Sequence, residues 1–188
     1  MAETLLSLAT GLGLSTAAGF NAYVPLLITG VLARTTDLIT LYAPFDRLEE
    51  PVVLGVIAAI GLIDFIGDKV PTVDHVLHAI GFVVAPIVGA SLALGVTSDT
   101  GAAPIVALVL GAVAAEATQG ARSVARPVST VTTAGVGNPV LSLGEDALSA
   151  TLSFAAILAP LLAVVLVAGV VALVVVAIRR RPRRRPIA

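Results

Sequence analysis

The chain has 188 residues, of which 57% are hydrophobic and only 12% charged, and its formal net charge is −1. A globular domain of this size needs a mixed, charged surface, so this composition excludes a water-soluble domain and indicates a polytopic membrane protein. The absence of cysteine excludes disulfides, thiolate metal sites and redox pairs. The first residues lack the basic region of a secretory signal, so the first apolar segment is expected to be retained.

The first apolar segment, residues 4–33, is too long for one straight span. At about 1.5 Å per residue its helix would extend ~45 Å, whereas a hydrocarbon core is ~30 Å thick. The stretch 19–25 holds Asn21 and Pro25, and proline cannot donate a hydrogen bond to the carbonyl of Asn21. A break that lines a cavity and a simple proline kink in a tilted helix are both consistent with this pattern.

Three spans are predicted next. An exposed acidic loop over residues 34–50 precedes spans over 52–67, 75–96 and 102–120. The last two spans carry small residues at every fourth position, which predicts a closely packed antiparallel pair. These small residues are Gly81, Ala85, Gly89 and Ala93 in one span and Ala103, Ala107, Gly111 and Ala115 in the other.

Residues 127–146 form the second polar region of the chain. Gly135, Gly137 and Pro139 argue against an uninterrupted helix, so a discontinuous or re-entrant segment is predicted there. A last span is predicted over residues 149–178, with a kink at its proline.

The arginine-rich tail, residues 179–188, sets the expected topology. Six of the eleven basic residues lie in this tail, and the positive-inside rule places it in the cytoplasm. If residues 127–146 cross the membrane there are six spans, with both termini inside and the acidic loop outside; if they only dip in, there are five. The predicted fold is therefore an all-α bundle of five or six spans, one domain over residues 1–178, in the cell membrane.

Ionisable side chains are concentrated in two stretches, residues 64–78 and 116–146. Such groups are costly in or beside a bilayer unless they face one another or a ligand, so the two stretches are expected to meet in space. Arg126 is a candidate partner for their acids. The candidate residues for binding a solute or ion are Asn21, Asp64, Asp68, Lys69, Asp74, Glu116, Arg122, Asn138, Glu145 and Asp146.

Other chemistry receives little support from the sequence. The acids around Asp64 and the pair His75 and His78 lack the spacing of a known metal motif, and no metal or cofactor is predicted. No serine has a base nearby in sequence, so no catalytic residue is predicted. The arginine tail is expected to bind anionic lipid and not nucleic acid.

Four segments have a recognisable pattern. They are Gly-Phe-Asn-Ala-Tyr-Val-Pro-Leu-Leu at 19–27, Asp-Lys-Val-Pro-Thr-Val-Asp at 68–74, Pro86 with small residues after it, and Asn-Pro-Val-Leu-Ser-Leu-Gly-Glu-Asp at 138–146. In these segments the chain resembles a family of small bacterial integral membrane proteins known as domain of unknown function 4126. The resemblance implies a membrane protein and no particular activity.

The residues indicate two classes of function. The first is a small membrane transporter or channel-like protein for an ion, a small polar solute or a lipid headgroup, with buried acids as its site. The alternative is a non-transporting membrane scaffold or accessory subunit whose charges are structural ion pairs or bind a partner. A buried acidic cavity distinguishes the first class from the second. The expected partners are the lipid bilayer, a small solute or ion, and a second copy of the chain.

Overall fold

A computed structural model describes residues 1–68, 71–98, 100–133 and 136–179. Within these ranges the protein contains seven α-helices and a short 3₁₀ helix, Phe45–Glu49, which confirms the all-α prediction. The α-helices are α1 (Ala2–Phe20), α2 (Tyr23–Thr35), α3 (Pro51–Gly67), α4 (Pro71–Thr97), α5 (Pro104–Thr133), α6 (Asn138–Leu158) and α7 (Pro160–Arg179).

Proline sets where most of these helices begin. Pro51, Pro71, Pro104 and Pro160 each occupy the first position of a helix. Proline suits this position because its missing N–H would have no partner there and its fixed φ angle is already helical.

α1 lies at the centre of the bundle, where it contacts α4, α5, α6 and α7. Almost all of its residues from Ala9 to Phe20 are buried. A Cβ atom added to Gly13 would lie 2.7 Å from the Cβ of Ala156, and one added to Gly19 would overlap Thr118. Glycines therefore let the neighbouring helices approach α1 closely.

α4 and α5 form the close antiparallel pair that their small residues predict. A Cβ atom on Gly89 would lie 2.7 Å from the carbonyl oxygen of Gly111, and one on Gly111 would lie 2.5 Å from that of Gly89. The two backbones thus touch directly, which confirms the prediction. Further along the pair, the side-chain amide of Gln119 donates to the carbonyl of His78 at 3.2 Å.

The N-terminal segment doubles back on itself. Thr4 Oγ1 donates to the carbonyl of Thr100 at 2.7 Å, so α1 begins beside the turn that follows α4. α2 then runs antiparallel to α3, with Gly61 packed against Tyr23 and Gly30 against Leu54.

The loop after α2 returns to the end of the bundle where α1 begins. The N–H of Tyr42 donates at 3.0 Å to the carbonyl of Gly95, near the end of α4. We call this end, with residues 36–50, the acidic-loop end, and the opposite end, with Asp68 and the start of α4, the cluster end. Of the two alternatives for residues 4–33, a break and a kink in one tilted span, the structure has the break, because α1 and α2 are separate antiparallel helices.

α6 and α7 form a second reversal. Ser149 of α6 donates to the carbonyl of Ala17 at 2.9 Å. Ala156, two turns later, and Ala163 of α7 both pack against Gly13, with 2.7 and 3.1 Å to the position of an added Cβ. α6 is therefore antiparallel to α1, and the chain turns between the two alanines.

The expected last span, residues 149–178, also differs from the structure. α6 ends before Ala159, and α7 starts as a new helix at Pro160, where the sequence suggested only a kink. Val167 packs against the buried cluster that includes Ala17, so α7 runs back towards the cluster end.

The predicted discontinuous segment over residues 127–146 is largely helical. α5 continues through Pro127 to Thr133, and α6 starts at Asn138. An interruption therefore exists in this region but is short, and Gly135 lies outside the described residues.

Three helices in the described part of the chain are long and apolar enough to cross a membrane. They are residues 76–97 of α4, α5 and α6. α2, α3 and the first half of α7 are shorter apolar helices.

Candidate functional site

The interruption between α1 and α2 is a full helix break. Asn21 is extended, with φ −151° and ψ 120°. Its Oδ1 accepts hydrogen bonds from the backbone N–H groups of Tyr23 (2.9 Å) and Val24 (3.2 Å), and so caps the first turn of α2. Its Nδ2 donates to Asp146 Oδ1 at 2.8 Å. The Asn21 carbonyl, which has no partner at Pro25, accepts instead from Ser149 at 3.2 Å.

A buried ionic cluster lies at the cluster end, where the end of α3 meets α5 and α6. Arg126 Nη2 lies 2.6 Å from Glu145 Oε2 and 3.1 Å from Asp68 Oδ2. Arg122 Nη2 lies 2.9 Å from the same Glu145 oxygen and 4.0 Å from the same Asp68 oxygen. The Ser142 hydroxyl donates to Asp68 Oδ2 at 3.1 Å. We call these five residues the ionic cluster.

The ionic cluster balances its own charge. Asp68, Arg126 and Glu145 are no more than 8% exposed, and Ser142 is fully buried. Two arginines and two carboxylates sum to zero, so the cluster has no net charge that the protein interior must stabilise. Buried ion pairs of this kind are stable only when both partners are present, because either one alone is a desolvated charge.

Arg122 links the ionic cluster to the break. Its Nη1 donates to Gln119 Oε1 at 3.0 Å and lies 3.5 Å from the carbonyl oxygen of Gly19, in the last turn of α1. This arginine therefore contacts α1, α5 and α6 at once. Its guanidinium is engaged with protein acceptors on both the cluster side and the break side.

A small cavity of about 40 Å³ adjoins the break and the ionic cluster. Its polar lining comes from Asn21, Tyr23, Asp64, Gln119 and Arg122, and its apolar lining comes mainly from α4. A water molecule occupies about 30 Å³ in the liquid, so the cavity has room for one or two particles of that size.

Asp64 is the acid of this cavity. It stands one helical turn before Asp68 on α3 and is partly buried. Within the described part of the chain, no hydrogen bond or ion pair reaches its carboxylate. The cavity is thus lined both by a negative side chain and by the C-terminal end of α1. The last carbonyl groups of a helix accept no hydrogen bond from within the helix.

The two polar stretches meet, as the sequence predicts. Asp68 from the first stretch pairs with Arg122 and Arg126 from the second, and Asp146 accepts a hydrogen bond from Asn21 at the break. Asn138 starts α6 and donates from Nδ2 to Thr130 Oγ1 at 2.9 Å, away from the cavity lining.

Three further predicted residues do not enter the described site. Glu116 does not line the cavity, and its buried Oε2 makes no hydrogen bond within the part of the chain that the structure describes. Lys69 lies outside the described residues, and so do the side chains of Asp74 and His75. Among the described residues, no group of three or more potential ligands could hold a metal ion.

Three uncharged polar residues of the site are not among those predicted from the sequence. Ser142, Gln119 and Tyr23 bind the acids and arginines or line the cavity. Ser142 and Glu145 stand three residues apart and so share a face of α6, which is the signal that could have identified the serine. Isolated serines in helices usually bond to their own backbone, and this makes the signal weak.

The sequence matches the family described as "Domain of unknown function (DUF4126)" over residues 8–180. The chain belongs to this family. Comparison with curated proteins and with solved structures gives no match. The match covers every residue of the ionic cluster and the cavity, so the family assignment agrees with the resemblance found in the sequence.

Proposed function

We propose that this family member is a small multi-pass transporter or channel-like protein of the cell membrane, and that its solute site is the cavity beside Asp64. The observation that carries the proposal is the Asp64 carboxylate, which lines this cavity and takes part in no described hydrogen bond or ion pair. An ionisable group at such a position is costly unless a ligand or a proton compensates its charge.

The broken helix supports the same proposal. Non-helical backbone at membrane depth is stable where protein covers it or where it lines a wet cavity, and the Asn21 break does both. In secondary transporters, helix breaks supply the backbone groups that bind solutes and coupling ions. The break at Asn21 lies between Asp64 of α3 and Arg122 of α5, which line the same cavity.

The proposed topology follows from the arginine tail, residues 179–188, of which only Arg179 lies within the described residues. Because α7 runs towards the cluster end, the positive-inside rule places that end in the cytoplasm. The acidic loop and the N-terminus then face the outside. This orientation keeps the cytoplasmic tail predicted from the sequence and moves the N-terminus to the other side.

The alternative is a scaffold or accessory subunit that transports nothing. It is favoured by the balanced charges of the ionic cluster, which need no ligand. The cavity and Asp64 separate the two proposals, since a purely structural acid would be expected to have a structural partner.

The test uses purified protein in liposomes. Currents on a solid-supported membrane are recorded under salt and pH gradients, and osmotic swelling is recorded with small neutral solutes. We expect transport by the wild type, at least a tenfold loss in Asp64→Asn, and no loss in Asp46→Asn, which removes an exposed loop carboxylate. Absence of transport by the wild type, or equal transport by Asp64→Asn, would favour the scaffold.

A further inference from the structure

We infer that the cavity beside Asp64 binds a single alkali-metal cation, with the Asp64 carboxylate as its charged ligand. The inference deepens the proposed function by naming the ion at the same site. It rests on the charge, the size and the oxygen atoms of the cavity.

The charge of the site favours a cation. The carboxylates of Asp68 and Glu145 are compensated by arginines within the ionic cluster, whereas the Asp64 carboxylate is not reached by any described hydrogen bond or ion pair. Ala18 and Asn21, at the C-terminal end of α1, also line the cavity. Ala22 and Tyr23, at the N-terminal end of α2, line it too, and the opposite partial charges of the two helix ends offset each other, so the carboxylate is the group that favours a cation.

The arginine at the cavity wall does not supply an anion site. Arg122 is engaged with Glu145 at 2.9 Å, with Gln119 at 3.0 Å and with the carbonyl of Gly19 at 3.5 Å. An arriving anion would have to displace these acceptors and would lie beside the Asp64 carboxylate. Both effects oppose anion binding.

The size of the cavity excludes organic solutes. Pockets for small organic ligands measure about 300–1,000 Å³, whereas this cavity measures about 40 Å³. A bare monovalent ion with one water molecule fits that volume.

The number of acids argues against calcium, and the small volume argues against magnesium with its bound water molecules. Calcium takes six to eight oxygen ligands, usually from several carboxylates, and magnesium retains an octahedral shell of water. The cavity offers one carboxylate, and no cluster of three or more acidic or histidine ligands exists among the described residues. One carboxylate with carbonyl and water oxygens matches a single positive charge.

Equilibrium binding separates this inference from the transport proposal. Thermal unfolding in detergent is followed while NaCl or KCl replaces choline chloride at constant ionic strength and pH, for the wild type, Asp64→Asn and Asp46→Asn. We expect a saturable rise in Tm with one alkali cation for the wild type and Asp46→Asn, and none for Asp64→Asn. Isothermal titration calorimetry of the wild type with the same salts should give one site, and this result does not depend on any variant folding.

Each outcome decides between the two proposals. Saturable alkali-cation binding without flux in liposomes would support the cation site and overturn transport. Flux without such binding would overturn the cation site alone. A Tm that is the same in choline, or that rises only with MgCl₂ or with acidification, would also overturn the cation site.

Discussion

Arg126 Nη2 lies 2.6 Å from Glu145 Oε2, and the same oxygen lies 2.9 Å from Nη2 of Arg122. The two arginines stand four residues apart and so share a face of α5. One carboxylate oxygen of α6 therefore joins two successive turns of α5, and Asp68 of α3 completes the arrangement. The ionic cluster fixes three helices beside the cavity.

Breaking this contact should destabilise the protein strongly. In Glu145→Gln the side-chain shape is retained, but both buried guanidinium groups lose the negative charge of the carboxylate oxygen that they share. Removing one partner of a buried ion pair costs about 3–5 kcal/mol. The free energy of unfolding in detergent, measured with denaturant, should fall by that amount.

The control is Glu50→Gln, the same change in an exposed pair. Arg47 and Glu50 lie 3.5 Å apart with side chains 77% and 53% exposed. Such pairs contribute only about 0.2–1 kcal/mol. Equal losses in the two variants would contradict the structural role of the ionic cluster.

The contact between α4 and α5 predicts that a single methyl group is harmful. In Gly111→Ala the new Cβ would lie 2.5 Å from the Gly89 carbonyl oxygen and 2.7 Å from the Cβ of Ala93. Overpacking of this kind costs about 1–3 kcal/mol, so the Tm should fall. Gly120→Ala, on the same helix, places its Cβ in open space and should be neutral or stabilising by up to about 1 kcal/mol. A Tm for Gly111→Ala at or above that of Gly120→Ala would refute the close packing.

The reversal of the N-terminal segment can be tested by cross-linking. The hydroxyl oxygens of Ser7 and Thr100 lie 2.9 Å apart at the acidic-loop end. Since the chain has no natural cysteine, the double variant Ser7→Cys/Thr100→Cys should form a disulfide on mild oxidation, visible as a shift on a non-reducing gel. The pair Ser7→Cys/Thr132→Cys, with one cysteine at each end, should not. A single N-terminal span would put positions 7 and 100 on opposite sides of the bilayer and prevent the first cross-link.

The contact between the break and α6 predicts a rescue. Asn21→Asp replaces the amide that donates to Asp146 with a second carboxylate, while an oxygen remains to cap α2. Repulsion between the two acids should lower the Tm. Adding Asp146→Asn should restore part of the loss, because the amide introduced at position 146 can donate to the carboxylate introduced at position 21. A double variant less stable than Asn21→Asp alone would show that the contact does not hold the break.

Part of this fold could be predicted from the composition of the chain and from the spacing of its small residues. The all-α class follows from hydrophobicity, and the pairing of α4 with α5 follows from the spacing of residues such as Gly89 and Gly111. Local sequence did not distinguish the prolines: Pro160 begins a helix, whereas Pro127 lies inside one. Whether a proline begins a helix or lies inside one depends on whether the neighbouring helices leave the chain room to turn. The residues beside the proline in the sequence carry no information about that room.

The sequence singles out most charged residues of the ionic cluster and the cavity, and Asn21 among the neutral ones, but not Gln119, Ser142 or Tyr23. Asp68, Arg122 and Glu145 stand out in an apolar sequence because an isolated charge there needs a partner. Gln119 and Ser142 carry no such signal. The reversal at Asn21 was also missed, because hydropathy gives the length of an apolar segment and not its direction.

The most direct test of the central claim is to locate a heavy monovalent cation in crystals of the protein. Thallium replaces alkali cations and has strong anomalous scattering. Crystals grown with a thallium salt should show one anomalous peak in the cavity, within bonding distance of the Asp64 carboxylate and beside Asn21 and Ala18. The same experiment on Asp64→Asn should show no peak there. An empty cavity in the wild type, or a peak that persists in Asp64→Asn, would contradict the account.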